Sequence, residues 1–199
     1  MVDITVQMIK EIREATGAGV LDCREALQAT EGDIEQAVVF LREKGMAAAA
    51  KRSEREADEG LIGSYIHAGN RVGGMIEVNC ETDFVARTDE FQQLAHDLAM
   101  QVVAAKPAYL KREDVPPQVL EEEKAVYRAQ MADSGKPDNI VDRIVEGKLQ
   151  KFYEENCLME QPFIKDPSVT VGELVKQKNA LLGENIVVRR FARLEVGGS

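Results

Sequence analysis

The residues best suited to chemistry follow the second of two predicted strands. Glu81 and Asp83 are carboxylates two positions apart, and His67 ends the preceding strand, so the three could supply the acid and base of a hydrolase. No nucleophile elbow, metal-ligand spacing or cofactor fingerprint accompanies them in the sequence. A hydrolase therefore stays open as one function, although His67 is more typical of a polar residue at a strand edge.

The cysteines and histidines do not have the spacing of a metal site. Cys23, Cys80 and Cys157 are far apart and include no C-x-x-C pair, and only His67 and His96 could assist them. We interpret the cysteines as buried free thiols in a reducing cytoplasm. The spacing therefore argues against a metal site, and we expect no cofactor because the sequence contains no cofactor fingerprint.

Residues 77–87 combine a strand with an unusual polar ending. Apolar residues alternate along the strand, and three polar residues then interrupt the pattern before the aromatic Phe84. Thr82 or Asp83 could cap a following helix, because short oxygen-bearing side chains accept hydrogen bonds from the free N–H groups of a first turn. Under that interpretation Phe84 is a hydrophobic staple or a core residue; the alternative is that it projects towards a partner.

Residues 1–45 are predicted to form three short helices joined by glycine turns. Thr5 and Asp33 are typical N-cap residues, and apolar side chains recur at helical spacing after each of them. Gly45 suits the position just after the third helix, where a left-handed backbone is common. The alanine-rich residues 46–58 would then be a separate helical linker.

The remaining residues predict an α+β fold. Residues 59–112 contain a strand hairpin, the polar ending and a helix, residues 113–160 form an antiparallel helical hairpin, and residues 161–199 supply a helix and a closing strand. The last strand has no sequence neighbour to pair with. We therefore expect it to return to the strand hairpin and complete a small sheet of about three antiparallel strands, backed by helices.

The charge balance argues against several classes of partner. The formal net charge is −10, and a surface of that sign repels phosphate backbones, so we expect no direct contact with nucleic acid. No run of about eighteen apolar residues is present, so we expect no membrane span. The first residues lack a charged leader followed by an apolar block, which favours a cytoplasmic location.

Several segments resemble the elongation factor Ts family. The sequence TDFVAR after a strand ending in VNC is similar to the family's signature. GAGVLDCREAL followed by EGDIEQAVVFLREKG resembles its N-terminal module, a bundle similar to ubiquitin-associated (UBA) domains. SGKP at the turn of the helical hairpin and EGKLQKF in its second arm resemble the family's coiled-coil insertion. The matches follow the family's order and cover nearly the whole chain.

This resemblance implies a nucleotide exchange factor and not an enzyme. In the family, the factor binds elongation factor Tu with GDP, its TDF aromatic enters the GTPase domain, and the Mg²⁺ that holds the nucleotide is dislodged. Carried onto this sequence, the contact comprises Thr82, Asp83, Phe84 and Val85. Asp83 and Phe84 would be its principal residues.

The resemblance also implies contacts outside this motif. UBA-type domains bind partners through apolar residues beside their first turn, and the candidates here are Ile12, Val20 and Leu21, although Val20 and Leu21 could instead close the bundle core. Longer family members contain two related core halves, and this chain has room for one. We therefore expect a homodimer in which a second copy supplies the missing contacts. A helical adaptor built on residues 1–45 stays open as a third function.

Overall fold

The computed structural model describes residues 4–131 and 135–198. These residues divide into two units. The first unit contains the residues up to Gly60 together with Asn79–Phe91 and Val175–Val187; the second contains Leu61–Val78, Gln92–Leu174 and the residues from Val188 onward. Each unit therefore collects stretches that are distant in sequence.

The N-terminal residues form the predicted bundle of three helices: α1 (Val6–Thr16), α2 (Val20–Ala29) and α3 (Ile34–Arg52). Both predicted caps are confirmed. Thr5 Oγ1 accepts a hydrogen bond from the Met8 N–H at 3.3 Å, and Asp33 Oδ1 accepts one from the Gln36 N–H at 2.9 Å. The free N–H groups of both helix starts thus find partners within the chain. The bundle closes around a small apolar core: Ile12, Cys23, Ala26, Leu27, Ala37 and Leu41.

Helix α3 continues through Gly45, so the prediction that this glycine ends the helix was wrong. The alanines that follow it have high helix propensity and carry the helix onward. A Cβ at position 45 would lie 3.1 Å from the Cβ of Ala180, which belongs to α8 (Val171–Leu182). Glycine is therefore suited to this position because it lets α3 approach the part of α8 that belongs to the first unit.

The predicted antiparallel sheet is present among the described residues, with the strand order β1–β2–β5. Its strands are β1 (Glu59–Ile66), β2 (Val72–Cys80) and β5 (Val187–Glu195). Gly69 and Asn70 have φ angles of 91° and 55° in the turn between β1 and β2, a conformation that glycine and asparagine tolerate. The last strand thus returns to the hairpin, as its isolation in sequence predicted.

Two further helical parts follow the sheet hairpin. α4 (Asp83–Ala86) is a single turn, and α5 (Asp89–Ala105) matches the predicted covering helix. α6 (Pro117–Ala129) and α7 (Asp138–Asn156) form the predicted helical hairpin. In the turn between the arms, Asp133 and Ser134 lie outside the described residues.

A small second sheet was not predicted. β3 (Pro162–Phe163) pairs antiparallel with β4 (Asp166–Thr170), just before α8. Its strands are short and contain prolines, which are rare in strands, so their sequence resembles a loop. Within the described residues, every helix is too short or too polar to cross a lipid bilayer.

Candidate functional site

Residues 81–87, called the tip below, connect β2 to the helices that follow it. Thr82 has an extended backbone, and its Oγ1 accepts a hydrogen bond from the Val85 N–H at 3.4 Å, so it is the N-cap of α4. Thr88 makes the same kind of hydrogen bond at the start of α5, where its Oγ1 accepts from the Phe91 N–H at 3.3 Å. The capping prediction is confirmed for Thr82. The tip is thus a tight turn of helix between two capping hydroxyls.

Phe84 projects from this turn and is 78% exposed. The interpretation of this ring as a staple or core residue was therefore wrong. Ala86, two positions later, is buried, and Val85 is half-buried, so α4 packs through its small side chains and presents its largest one. Exposing a Phe side chain forgoes roughly 1.5–3 kcal/mol of burial free energy. A ring displayed at that cost is suited to binding another molecule.

Asp83 stands directly before the exposed ring. Its carboxylate forms an ion pair with Arg87 at 2.8 Å, one helical turn away. Both side chains are well exposed, and exposed pairs contribute at most about 1 kcal/mol to stability. The Asp83 carboxylate can therefore exchange this partner for another at little cost to the fold.

Glu184, which follows α8, holds the backbone at the start of the tip. Its carboxylate accepts hydrogen bonds from the N–H groups of Glu81 and Thr82, both at 3.0 Å, and from the Thr82 hydroxyl at 2.6 Å. Glu81 makes the reciprocal contact, since its own carboxylate accepts from the Asn185 N–H at 2.7 Å. Hydrogen bonds to a carboxylate are stronger than neutral ones. We call this reciprocal arrangement of Glu81 and Glu184 the carboxylate clamp.

Two buried asparagines connect the clamp to the chain after α3. Asn185 Nδ2 donates to the carbonyl oxygens of Ser53 at 3.3 Å and Arg55 at 2.7 Å, and Asn79 Nδ2 donates to that of Ala57 at 3.0 Å. Both asparagines are buried, where an unpartnered amide would be costly. The segment between α3 and β1 is therefore part of the support of the tip.

Cys80 lies in the same supported region. Its thiol donates to the Thr82 carbonyl oxygen at 3.1 Å. Burial, together with the nearby Glu184 carboxylate, raises the pKa of the Cys80 thiol to about 11. The thiol is consequently protonated at neutral pH and is a poor nucleophile.

The residues of the hydrolase hypothesis have structural partners of their own. Glu81 belongs to the carboxylate clamp, and Asp83 pairs with Arg87. His67 Nδ1 shares a hydrogen bond with the Tyr65 hydroxyl at 3.2 Å, in the second unit of the chain. Among the described residues, no three or more of His, Cys, Asp and Glu are grouped to hold a metal ion. The contacts around the tip hold its backbone in place and leave the Phe84 side chain exposed.

The three bundle residues expected to contact a partner divide into two kinds. Val20 and Leu21, at the start of α2, are 51% and 79% exposed, so they do not close the core. Ile12 has no exposed surface and packs in the core of the bundle. Grouping Ile12 with the surface residues was an error, because the structure places Ile12 on the inner side of α1.

The outer face of the three-stranded sheet, in the second unit, was not singled out by its sequence. Four of its apolar side chains are exposed: Ile62, Ile66, Met75 and Leu194; the exposed Val196 follows directly after β5. Glu77 and Arg190 form an ion pair at 2.6 Å on the neighbouring strands β2 and β5. Exposed apolar groups this numerous on one sheet are typical of an interaction surface.

The sequence matches one protein family over almost its whole length. The family model described as "Elongation factor TS" matches residues 3–198. The protein named elongation factor Ts in Carboxydothermus hydrogenoformans is 56% identical over 194 residues, which cover 98% of this chain and 89% of the relative. The protein of that name in Caldanaerobacter subterraneus subsp. tengcongensis is 57% identical over 194 residues, which cover 98% of this chain and 97% of the relative. That of Moorella thermoacetica is 57% identical over 189 residues, covering 95% of this chain and 93% of the relative.

Proposed function

The chain belongs to the elongation factor Ts family, and on that premise we propose that it promotes GDP release from elongation factor Tu by inserting its tip. It binds the GDP-bound GTPase, stabilises the nucleotide-free form and so allows exchange for GTP. The protein carries out no bond-making chemistry in this role. Its place of action is the cytoplasm, where translation occurs.

The observation that carries this proposal is the exposed Phe84 ring on a short, capped and clamped helix. A side chain carried on an already ordered backbone loses less conformational entropy when a partner pocket takes it up. Burial of the ring supplies roughly 1.5–3 kcal/mol, which corresponds to one or two decades in an equilibrium constant. Phe84 alone is therefore insufficient, and other contacts must contribute.

Asp83 is the second principal residue of the proposed contact, with Thr82 and Val85 completing it. Asp83 directly precedes Phe84 in the sequence, and its carboxylate can leave Arg87 for a polar group of the partner. Displacement of the Mg²⁺ held by elongation factor Tu follows from the local shift that the entering side chains impose. By linkage, the factor lowers nucleotide affinity to the same extent that bound nucleotide lowers the affinity of the factor.

Two further surfaces supply the remaining coupling. Val20 and Leu21 present exposed apolar side chains from the bundle, and they form the second contact with elongation factor Tu. A second copy of this chain covers the outer face of the three-stranded sheet and forms a homodimer. The apolar character of that face, with the Glu77–Arg190 ion pair among its strands, supports the second copy as its occupant.

Stopped-flow release of fluorescent GDP from elongation factor Tu tests the exchange function directly. The wild-type protein should accelerate release, and Phe84→Ala should slow the stimulated rate at least about tenfold, within the range expected for loss of a buried ring. Its melting temperature should hardly change, because the ring is exposed.

Val6→Ala is the matched control, since Val6 is also an exposed apolar residue but lies at the start of α1. It should leave the stimulated rate unchanged. Full activity of Phe84→Ala would contradict the insertion of the ring, and a wild-type protein without effect on GDP release would contradict exchange itself.

A further inference from the structure

The four-residue helix that carries Phe84 is too short to hold its own conformation. Helix nucleation fixes several residues for a single backbone hydrogen bond, so an isolated turn is unstable in water. The cap from Thr82 to Val85 is long, at 3.4 Å, and cannot make up the difference by itself. The orientation of the ring must therefore be fixed by groups outside the helix.

Glu184 supplies three hydrogen bonds from outside the helix. Its carboxylate accepts from two consecutive backbone N–H groups, those of Glu81 and Thr82, and from the Thr82 hydroxyl. The same hydroxyl oxygen accepts from the Val85 N–H. Glu184 thus orients the hydroxyl that caps α4, so its influence passes through Thr82 into the turn that bears the ring.

The backbone next to Glu184 is also anchored to residues outside the tip. The neighbouring Asn185 is buried, and its side chain donates to the carbonyl oxygens of Ser53 and Arg55. The Asn185 N–H also donates to the Glu81 carboxylate. The carboxylate of Glu184 is therefore presented from an anchored backbone and acts on the tip as a fixed support.

We infer that Glu184 is a positioning residue for nucleotide exchange, which acts by holding the Thr82 cap and thereby the orientation of Asp83 and Phe84. This inference rests on the exchange function proposed above. Glu184 does not itself enter the partner; it keeps the tip in the conformation that binds. Loss of its carboxylate releases the tip without removing any contacting side chain.

The test compares Glu184→Ala and Glu184→Gln with the wild type. Glu184→Ala should slow stimulated GDP release from elongation factor Tu by about tenfold, a change that corresponds to about 1.4 kcal/mol. Glu184→Gln should have a smaller effect, because one amide oxygen can still accept while the NH₂ group cannot. Hydrogen–deuterium exchange of the peptide spanning residues 81–87 should become faster in both variants, and more so in Glu184→Ala.

Glu173→Ala is the matched control, because Glu173 also accepts from a backbone N–H, that of Thr170 at 2.8 Å, but in the second unit. It should leave both GDP release and amide exchange at residues 81–87 unchanged. A comparable loss of GDP release in this control would indicate general destabilisation and overturn the specific role of Glu184.

Combining Glu184→Ala with Phe84→Ala distinguishes positioning from a general loss of folded protein. If Glu184 acts through the ring, adding Glu184→Ala to Phe84→Ala should slow stimulated GDP release by less than about twofold relative to Phe84→Ala alone. The reason is that the effects of coupled sites are not additive. An undiminished effect in the Phe84→Ala background overturns the inference.

Two other outcomes also decide the question. Unchanged amide exchange of the tip in Glu184→Ala, or full exchange activity in that variant, overturns the inference. A wild-type protein that fails to release GDP overturns the proposed function, and with it the role of Glu184 in exchange. The amide-exchange result still shows separately whether Glu184 holds the tip, so the two failures are distinguishable.

Discussion

Thr82 links the folding of the tip to its presentation, because one hydroxyl serves two hydrogen bonds. It donates to the Glu184 carboxylate and accepts from the Val85 N–H. A valine at this position would have a similar shape but would lose both bonds and leave the carboxylate short of a partner. Thr82 therefore caps α4 as an ordinary N-cap residue does, and it also connects this helix to the Glu184 carboxylate.

Two buried thiols should make the stability of the protein sensitive to alkaline pH. Burial raises the pKa values of Cys80 and Cys157 from 9.0 to about 11 in the folded chain. Between these pH values the unfolded chain loses thiol protons that the folded chain retains, so the free energy of unfolding falls as pH rises from about 9 to about 11. Below pH 9 this contribution is fully present.

Urea unfolding at a series of pH values measures this effect. In a variant with Cys80→Ala and Cys157→Ala, the free energy of unfolding should fall less steeply over the same pH range than in the wild type, whatever its value at neutral pH. Equal slopes for the variant and the wild type would show that the thiols do not titrate as their burial implies.

At the scale of elements, two glycine-to-alanine changes should have opposite effects. Gly63 in β1 faces α5, and an added Cβ would overlap the Ala95 carbonyl oxygen, so Gly63→Ala should cost about 1–3 kcal/mol of folding stability. Gly147 lies on the exposed side of α7 with open space around its Cα. Gly147→Ala should stabilise the protein by about 0.5–1 kcal/mol, because glycine is a poor helix former.

Denaturant midpoints of the two variants provide the comparison. They are matched in chemistry, since each adds one methyl group, and both residues lie in the second unit. Tolerance of alanine at position 63 would mean that β1 does not pack against α5 as closely as the structure indicates.

Most elements were predictable because their signals are local. The caps at Thr5, Asp33 and Thr82 and the alternation in β1 and β2 each depend on residues close together in sequence. Local propensity also explains why α3 was cut short in the prediction. Glycine is a frequent helix terminator, and nothing near Gly45 in sequence indicates that Ala180 lies against it.

The candidate site was predictable only in part, for the same reason. The TDF sequence pointed to Phe84, but it could not decide whether the ring was buried, since that depends on how α4 packs. Glu184 lies 102 residues from Thr82, and a single glutamate after a helix has no distinctive pattern. Ile12 was misplaced because helical spacing gives a stripe of residues without telling which member lies at its centre.

At the scale of the whole molecule, the sheet face should govern the oligomeric state. Leu194 is 72% exposed at the end of β5, and a charge there would be placed in the proposed dimer interface. Leu194→Glu should convert the protein from dimer to monomer at micromolar concentration, because an unpaired charge is costly to bury. Sedimentation velocity of the wild type and the variant provides the measurement.

Val126→Glu is the matched control, since Val126 is an exposed apolar residue on α6. It should remain dimeric. The dimer should also be independent of oxidation, because Cys157 is fully buried and unavailable to bridge two copies. A monomeric wild type with intact exchange activity would rule out the homodimer.

The first unit combines stretches that are distant in sequence, and this affects when the tip acquires its contacts during synthesis. A nascent chain that has grown only to Leu174 already contains the complete TDFVAR sequence, yet Glu184 and Asn185 have not been synthesised. The contacts from Glu184 and Asn185 to the tip therefore form only after these two residues have emerged from the ribosome. A chain that stops short of Glu184 would display the aromatic side chain without this support, so the tip would acquire its fixed backbone conformation only after residue 184 has been made.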